Sequence, residues 1–223
     1  MKATVFNGSP RGRNSNTNVM AEAFLSGVRE TGGQTENIFL IDKDIRHCSG
    51  CFSCWFKTPG RCVYQDDMTE LLDIYLHSDI VCFATPVYLW NMTACLKNFA
   101  DRLIPTKSMA VEKRNGHYDM ADSTALPDTV IIANAGFPGA GNFETLHQVM
   151  KSAEPILEIY RNCGMLLQSK VPAVRQKVEE YLTFVKAAGR ELAAGRSISE
   201  QTEKGLQMEL MSDEAYIQYI SGK

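Results

Sequence analysis

No run of apolar residues in this chain approaches the ~20 needed to cross a bilayer as a helix, so nothing in it reads as a membrane span. Charge of one sign is also scarce. Lys and Arg number 23 against 26 Asp and Glu, a net charge of −3, which gives no electrostatic case for nucleic acid or an anionic membrane. Internal repeats, low-complexity tracts and linker-like stretches are missing, so the chain reads as one domain. Two phosphate-binding signatures are absent as well. Without G-x-x-x-x-G-K-[ST] there is no nucleotide-triphosphate P-loop, and without G-x-G-x-x-G there is no Rossmann dinucleotide fingerprint. The N-terminus enters an apolar strand directly and leaves no room for a signal peptide, so a cytoplasmic protein is expected. Histidines are few and scattered, at His47, His77, His117 and His147. They supply no evident general acid or base, and only His117, on a hairpin, merits a test.

What is present is ordinary in bulk and unusual in detail. At 223 residues, with 44% hydrophobic and 22% charged residues, the chain can bury a sizeable core as one α/β domain. Seven cysteines is an odd number, and four fall between positions 48 and 62. That pattern suits a reduced protein with a metal or redox site better than a disulfide scaffold.

The stretch that organises the rest is N-G-S-P-R-G-R-N-S-N-T, residues 7–17. An apolar run, 3–6, precedes it and an amphipathic one follows, with Met20, Phe24 and Val28 on one face over 18–30. A strand, a loop of small polar residues and a helix start place backbone N–H groups and hydroxyls at the positive end of a helix dipole, a ready phosphate site. Ser9, Arg11, Ser15, Asn16 and Thr17 are its candidate donors. The plainer alternative is a turn with an Asn or Ser N-cap.

Further strands are expected at 36–41, 80–84, 130–133 and 165–167, with helices between them. One helix is capped by Asp66-Asp67. A second carries the stripe Met92, Cys95, Leu96, Phe99, Ala100, Leu103 and Ile104. A third runs to about residue 162 and breaks near Pro155. Arg114-Asn115-Gly116-His117 signals a hairpin. A helix over Val174, Val178, Tyr181, Leu182 and Val185 follows. The tail, 198–223, reads as a helical extension of the 1–197 domain with no chemistry of its own.

Alternating strands and helices imply a doubly wound parallel sheet, and five strands suggest the flavodoxin-like order 2-1-3-4-5 with helices on both faces. Ligands in such sheets sit at the carboxyl ends of the strands. Three loops converge there: 8–17, then Pro86, Val87, Tyr88, Leu89, Trp90 and Asn91, then Asn134, Ala135, Gly136 and Phe137. The first is fitted for phosphate and the others for a flat ring. Phosphate at one end and a planar ring at the other describe FMN.

These residues resemble a known family. G-S-P-R-x-x-x-S-N-T and A-T-P-V-Y-x-x-N-M-T-A-x-L-K-N-F-A-D-R-L are similar to the flavodoxin-like NAD(P)H-dependent FMN reductases, and Cys48-Ser-Gly-Cys51-Phe-Ser-Cys54, with Cys62 and Asp66-Asp67-Met68, resembles the iron–sulfur flavoprotein branch. The resemblance covers roughly residues 1–195. It implies non-covalent FMN, two-electron reduction by NADH or NADPH, and transfer to a quinone, nitroaromatic or similar small acceptor, or to a redox protein partner. It also implies a homodimer or homotetramer. A flavodoxin-type carrier without turnover, and a structural zinc module on the same scaffold, are the rival readings.

The cysteine spacing is C-x2-C-x2-C-x7-C. It resembles the start of ferredoxin ligand loops and makes Cys48, Cys51, Cys54 and Cys62 candidate ligands of a [4Fe–4S] cluster. Zinc, a redox-active C-x-x-C pair, and free thiols packed beside Trp55 and Phe56 are the alternatives.

Overall fold

A computed structural model of the chain describes residues 1–114 and 116–222, apart from the side chains of Arg114, His117, Asp119 and Ala140. The turn residue Asn115 and the His117 side chain singled out above lie outside the described residues.

The chain runs β1 (Lys2–Asn7), α1 (Asn16–Glu30), β2 (Gln34–Phe39), α2 (Ser53–Phe56), α3 (Met68–Leu76), β3 (Ile80–Pro86), α4 (Ala94–Asp101), β4 (Lys107–Arg114), β5 (His117–Asp122), β6 (Asp128–Asn134), α5 (Glu144–Met150), β7 (Leu157–Arg161), α6 (Pro172–Ala193), α7 (Glu200–Leu206) and α8 (Asp213–Ser221). Five strands form one parallel sheet in the order β2-β1-β3-β6-β7, the flavodoxin-like arrangement, and β4–β5 make a separate antiparallel hairpin. Central β3 is apolar almost throughout because both of its faces are covered. One core, around Met20, Phe24, Ile132 and Tyr181, lies between the sheet and α1 with α6. The other, around Phe6, Leu71, Phe83 and Phe99, lies on the opposite face under α3 and α4. Among the described residues no helix is long and apolar enough to cross a membrane.

Helices α1 and α6 pack backbone to backbone. A Cβ on Gly27 would sit 1.8 Å from the Lys186 carbonyl oxygen, and one on Gly189 would sit 2.1 Å from that of Phe24. Only hydrogen at both positions permits this approach. Glu30 seals the rim of the contact through Lys186 and Arg190.

Several boundaries differ from the sequence reading, and one strand was misplaced. The fifth strand is Leu157–Arg161, inside the stretch read as a broken helix, whereas Gly164–Gln168 is a 3-10 turn. At the sheet edge β7 buries only alternate residues, Ile159 and Arg161, so it lacks the continuous apolar run of a central strand. Leu166 and Leu167 are apolar because the turn is buried in the core. Helix α5 ends at Met150, and Glu154, at φ 45°, with Pro155 turns the chain into β7. The second strand begins and ends two residues earlier than expected, and Leu40–Asp42 turns as a 3-10 segment. Met92, Leu103 and Ile104 fall outside α4, which Thr93 caps by accepting from the Leu96 N–H.

Candidate functional site: three loops and a cysteine pocket

At the carboxyl edge of the sheet the three loops are stitched to one another. Thr93 Oγ1 donates to the Gly8 carbonyl at 2.6 Å, joining the first loop to the second. The Val87 N–H donates to the Asn134 carbonyl at 2.8 Å, joining the second to the third. Asn134 Nδ2 donates to Thr17 Oγ1 at 2.7 Å, closing the ring. Register places them side by side, because Asn7 pairs with Ala84 and Pro86 with Asn134 where their strands end. Gly8 lies so close to α4 that a Cβ would stand 2.5 Å from Leu96 Cβ.

Within the first loop the candidate donors divide by task. Ser15 is the N-cap of α1, accepting from the Asn18 N–H at 3.0 Å and donating to the Gly12 carbonyl at 2.7 Å. Its hydroxyl proton is spent inside the loop. The first-turn amides of Asn16 and Thr17 have no intrahelical acceptor and stand at the positive end of a 15-residue helix. Thr17, buried, accepts from Asn134 and so keeps its own proton to donate. The Asn16 side chain takes a bond from Gln168 Nε2 at 2.8 Å. Ser9 is buried and accepts from the Arg11 N–H at 3.4 Å. Arg13 is tied to Asp42 at 2.8 Å and lies 4.4 Å over the Phe39 ring. Arg11 is exposed and has no ion pair among the described residues.

The second loop closes as a tight turn, with Tyr88 and Asn91 exchanging backbone bonds at 2.9 and 3.1 Å. Its tip residues Leu89 and Trp90 have φ of 48° and 60°. A left-handed conformation at a bulky residue costs about 1–2 kcal/mol, so apolar side chains are held in strained, exposed positions. In the third loop the Asn142 Nδ2 group gathers the carbonyls of Phe137, Pro138 and Gly139 at 2.9–3.0 Å. Tyr88, Leu89, Trp90 and Phe137 are all exposed, Leu89 by 88%. A separate cavity of about 500 Å³, between α4, the hairpin and the start of β6, is lined by none of the three loops.

The cysteine segment makes a second, smaller site. Cys48, Cys51, Cys54 and Cys62 line one pocket of about 20 Å³ together with Tyr64 and Arg102. That volume is roughly one water. Among the described residues no three His, Cys, Asp or Glu side chains are placed to hold a metal ion. The donors of a cluster are therefore gathered, but their arrangement here does not fit one. Burial pushes the Cys54 thiol up, whereas Ser53 hydrogen bonds bring exposed Cys51 down. Trp55 anchors the short helix α2 by donating to the Lys107 carbonyl at 2.9 Å.

Beneath this pocket lies a pair that the sequence reading missed. Arg102 and Asp66 are joined by two bonds, at 2.7 and 3.0 Å, with side chains only 2% and 1% exposed. Burial raises the Asp66 carboxyl, but the Arg102 bonds and the Arg46 N–H outweigh it and hold the group below its ordinary range. Arg102 also donates to the Arg46 carbonyl at 2.6 Å, so it ties the two ends of the cysteine segment together. The sequence reading gave Asp66-Asp67 only a capping role. Asp66 does accept from the Met68 N–H at 3.2 Å, while Asp67 makes no cap bond.

Residues 1–157 match the family of NADPH-dependent FMN reductases. The chain belongs to that family. Among its relatives, an iron–sulfur flavoprotein of Archaeoglobus fulgidus is 41% identical over 105 residues, 47% of this chain and 46% of that protein. One from Methanocaldococcus jannaschii is 36% identical over 107 residues, 48% of this chain and 54% of that protein. The chain thus spans about half the length of the relatives it matches. The NAD(P)H:quinone oxidoreductase of Methanothermobacter marburgensis has the same fold, with a TM-score of 0.61 over 86% of this chain and 96% of that one, at 19% identity. So does an FMN-dependent NADH-azoreductase of Bacillus anthracis solved in complex with FMN, with a TM-score of 0.61 over 86% and 99%, at 15% identity.

Proposed function

We propose that this protein is an FMN-dependent oxidoreductase that takes hydride from NADH or NADPH and passes it to a quinone, nitroaromatic or similar small acceptor. The observation that carries the reading is the closed ring of bonds joining the three loops, above all Asn134 to Thr17. FMN, when bound, supplies the hydride chemistry, and the chain supplies position and electrostatics. In this reading the Asn16 and Thr17 amides, the Ser9 and Thr17 hydroxyls and Arg11 hold the phosphate. The segment from Pro86 through Val87, Tyr88, Leu89 and Trp90 to Asn91 holds one side of the ring, and the segment from Asn134 through Ala135 and Gly136 to Phe137 the other. Ser15 shapes the loop rather than touching phosphate.

Purified protein titrated with FMN is expected to quench flavin fluorescence at one site per chain and to oxidise NAD(P)H anaerobically only when an acceptor is present. Arg11→Ala combined with Thr17→Ala removes two phosphate contacts, each charge-assisted bond contributing roughly 1.5–3 kcal/mol. The double variant is expected to bind FMN at least about 100-fold more weakly. Wild-type protein that takes up no FMN sinks the reading.

The exposed ring of Tyr88, Leu89, Trp90 and Phe137 favours a second subunit against the site, a homodimer or homotetramer. A monomer at micromolar concentration in light scattering counts against it. A second reading, electron relay between protein partners, is favoured by the gathering of Cys48, Cys51, Cys54 and Cys62 in one pocket. A [4Fe–4S] cluster there requires the segment to open, and iron and sulfide analysis after anaerobic reconstitution decides between the readings.

A further inference from the structure

Helices α6, α7 and α8 lie beyond the residues that match the family. The first turn of α8 nevertheless reaches the third loop. Tyr216, on α8, is fully buried, and its hydroxyl donates to the Gly136 carbonyl. Burial, reinforced by Cys163 and Tyr219, pushes the phenol up to about 12, so it stays a donor at neutral pH. Two further contacts hold the segment that leads into α8 and start the helix. Arg161, at the end of β7, donates to the carbonyls of Leu206 and Met208 at 2.7 and 2.8 Å and lies 4.1 Å over the Tyr181 ring. Ser212 caps α8 by accepting from the Ala215 N–H.

The neighbours of Gly136 are held by backbone bonds, the Gly164 N–H donating to the Ala135 carbonyl at 2.8 Å and the Cys163 N–H to that of Phe137 at 3.4 Å, and the Gly136 carbonyl is left to Tyr216. Gly136 is exposed, and a Cβ built on it would meet nothing within 4 Å. The anchors of the 134–137 segment are the Val87, Thr17 and Arg161 contacts at its start, the Gly164 and Cys163 N–H groups on the Ala135 and Phe137 carbonyls, the Asn142 fan at its end, and Tyr216 on the Gly136 carbonyl between them. Side-chain packing cannot set the Gly136 peptide, so its carbonyl takes its bond from a buried donor on α8.

We propose that Tyr216 is a positioning residue for the flavin site, holding the Gly136 peptide where the third loop meets the ring. This rests on the FMN reading of the three loops. The C-terminal helices then form part of the flavin-binding machinery of this chain, although they lie outside the matched residues.

The test compares full-length Tyr216→Phe, Tyr219→Phe and wild type. Tyr219 lies on the same helix, but its hydroxyl meets Ser169 at 3.1 Å and not the third loop. Losing one such bond is expected to weaken FMN binding about 3- to 10-fold in Tyr216→Phe and to leave it unchanged in Tyr219→Phe. In the flavin-free protein, amides over 134–139 are expected to exchange faster in Tyr216→Phe alone. If wild type binds FMN and Tyr216→Phe binds it equally, with equal exchange, the role of Tyr216 is overturned while the flavin reading stands. If wild type binds no FMN, both are overturned.

Discussion

Replacing Arg102 with Met tests the claim that a buried ion pair closes the base of the cysteine segment. The substitution keeps most of the apolar stem and removes the charge. It strands the Asp66 carboxylate, 1% exposed, with the backbone N–H groups of Arg46 and Met68 as its remaining partners among the described residues. Breaking a buried pair by removing one member costs about 3–5 kcal/mol, because the remaining charge is uncompensated. For a chain of this size, 1 kcal/mol moves the unfolding midpoint by about 2–4 °C, so Tm is expected to fall by about 6–20 °C. The pH dependence gives the sharper readout. In wild type the Asp66 carboxyl is held below its unfolded value, so its contribution is present above the ordinary carboxylate range and lost as pH falls through the folded value. In the variant burial is opposed by the Arg46 and Met68 N–H groups without the guanidinium, so the carboxyl rises and the penalty, full near neutral pH, disappears as pH falls below the unfolded value. The Tm gap is therefore expected to narrow steadily from about pH 7 to about pH 4. Adding Asp66→Asn to the variant removes the stranded charge and is expected to recover at least half of the loss. Thermal unfolding followed by circular dichroism at several pH values reads all of this. A variant within 2 °C of wild type at neutral pH, or a gap that does not change with pH, refutes the reasoning.

Two other expectations follow from the same structure. Gly189→Ala drives a Cβ into the Phe24 carbonyl and must part α1 from α6; overpacking costs typically 1–3 kcal/mol, and a Tm drop of about 2–12 °C is expected, an unchanged Tm showing that the helices are not in backbone contact. Cys54→Ala is expected to leave FMN affinity unchanged, since the cysteine pocket and the three loops are separate sites; FMN binding weakened several-fold in a fluorescence titration joins the two.

The chain by itself determined the sheet and its carboxyl edge. Apolar runs at 80–84 and 130–133 announce strands covered on both faces, and small polar loops behind them mark the edge where the sheet is open. Alternation and handedness imply a doubly wound parallel sheet, and the strand count suggests the order that the structure has, β2-β1-β3-β6-β7. The tertiary structure decided what depends on a distant partner. Edge strand β7 is half-buried, so its signal is alternation with a charged end, and the triplet Met165-Leu166-Leu167, two of whose residues are buried, imitated it. Ser15 reads along the chain as a donor at the loop, and the structure shows its hydroxyl donating to the Gly12 carbonyl three residues back. Arg102 and Asp66, 36 positions apart, look like surface charges in a linear reading, and only burial of both turns them into a lock. Tyr216 and Gly136, 80 positions apart, meet where the Arg161 bonds and the burial of Leu206 and Leu210 hold the tail against the domain. Periodicity and loop chemistry are written along the chain, whereas pairing between remote polar groups depends on which of them the fold removes from water together.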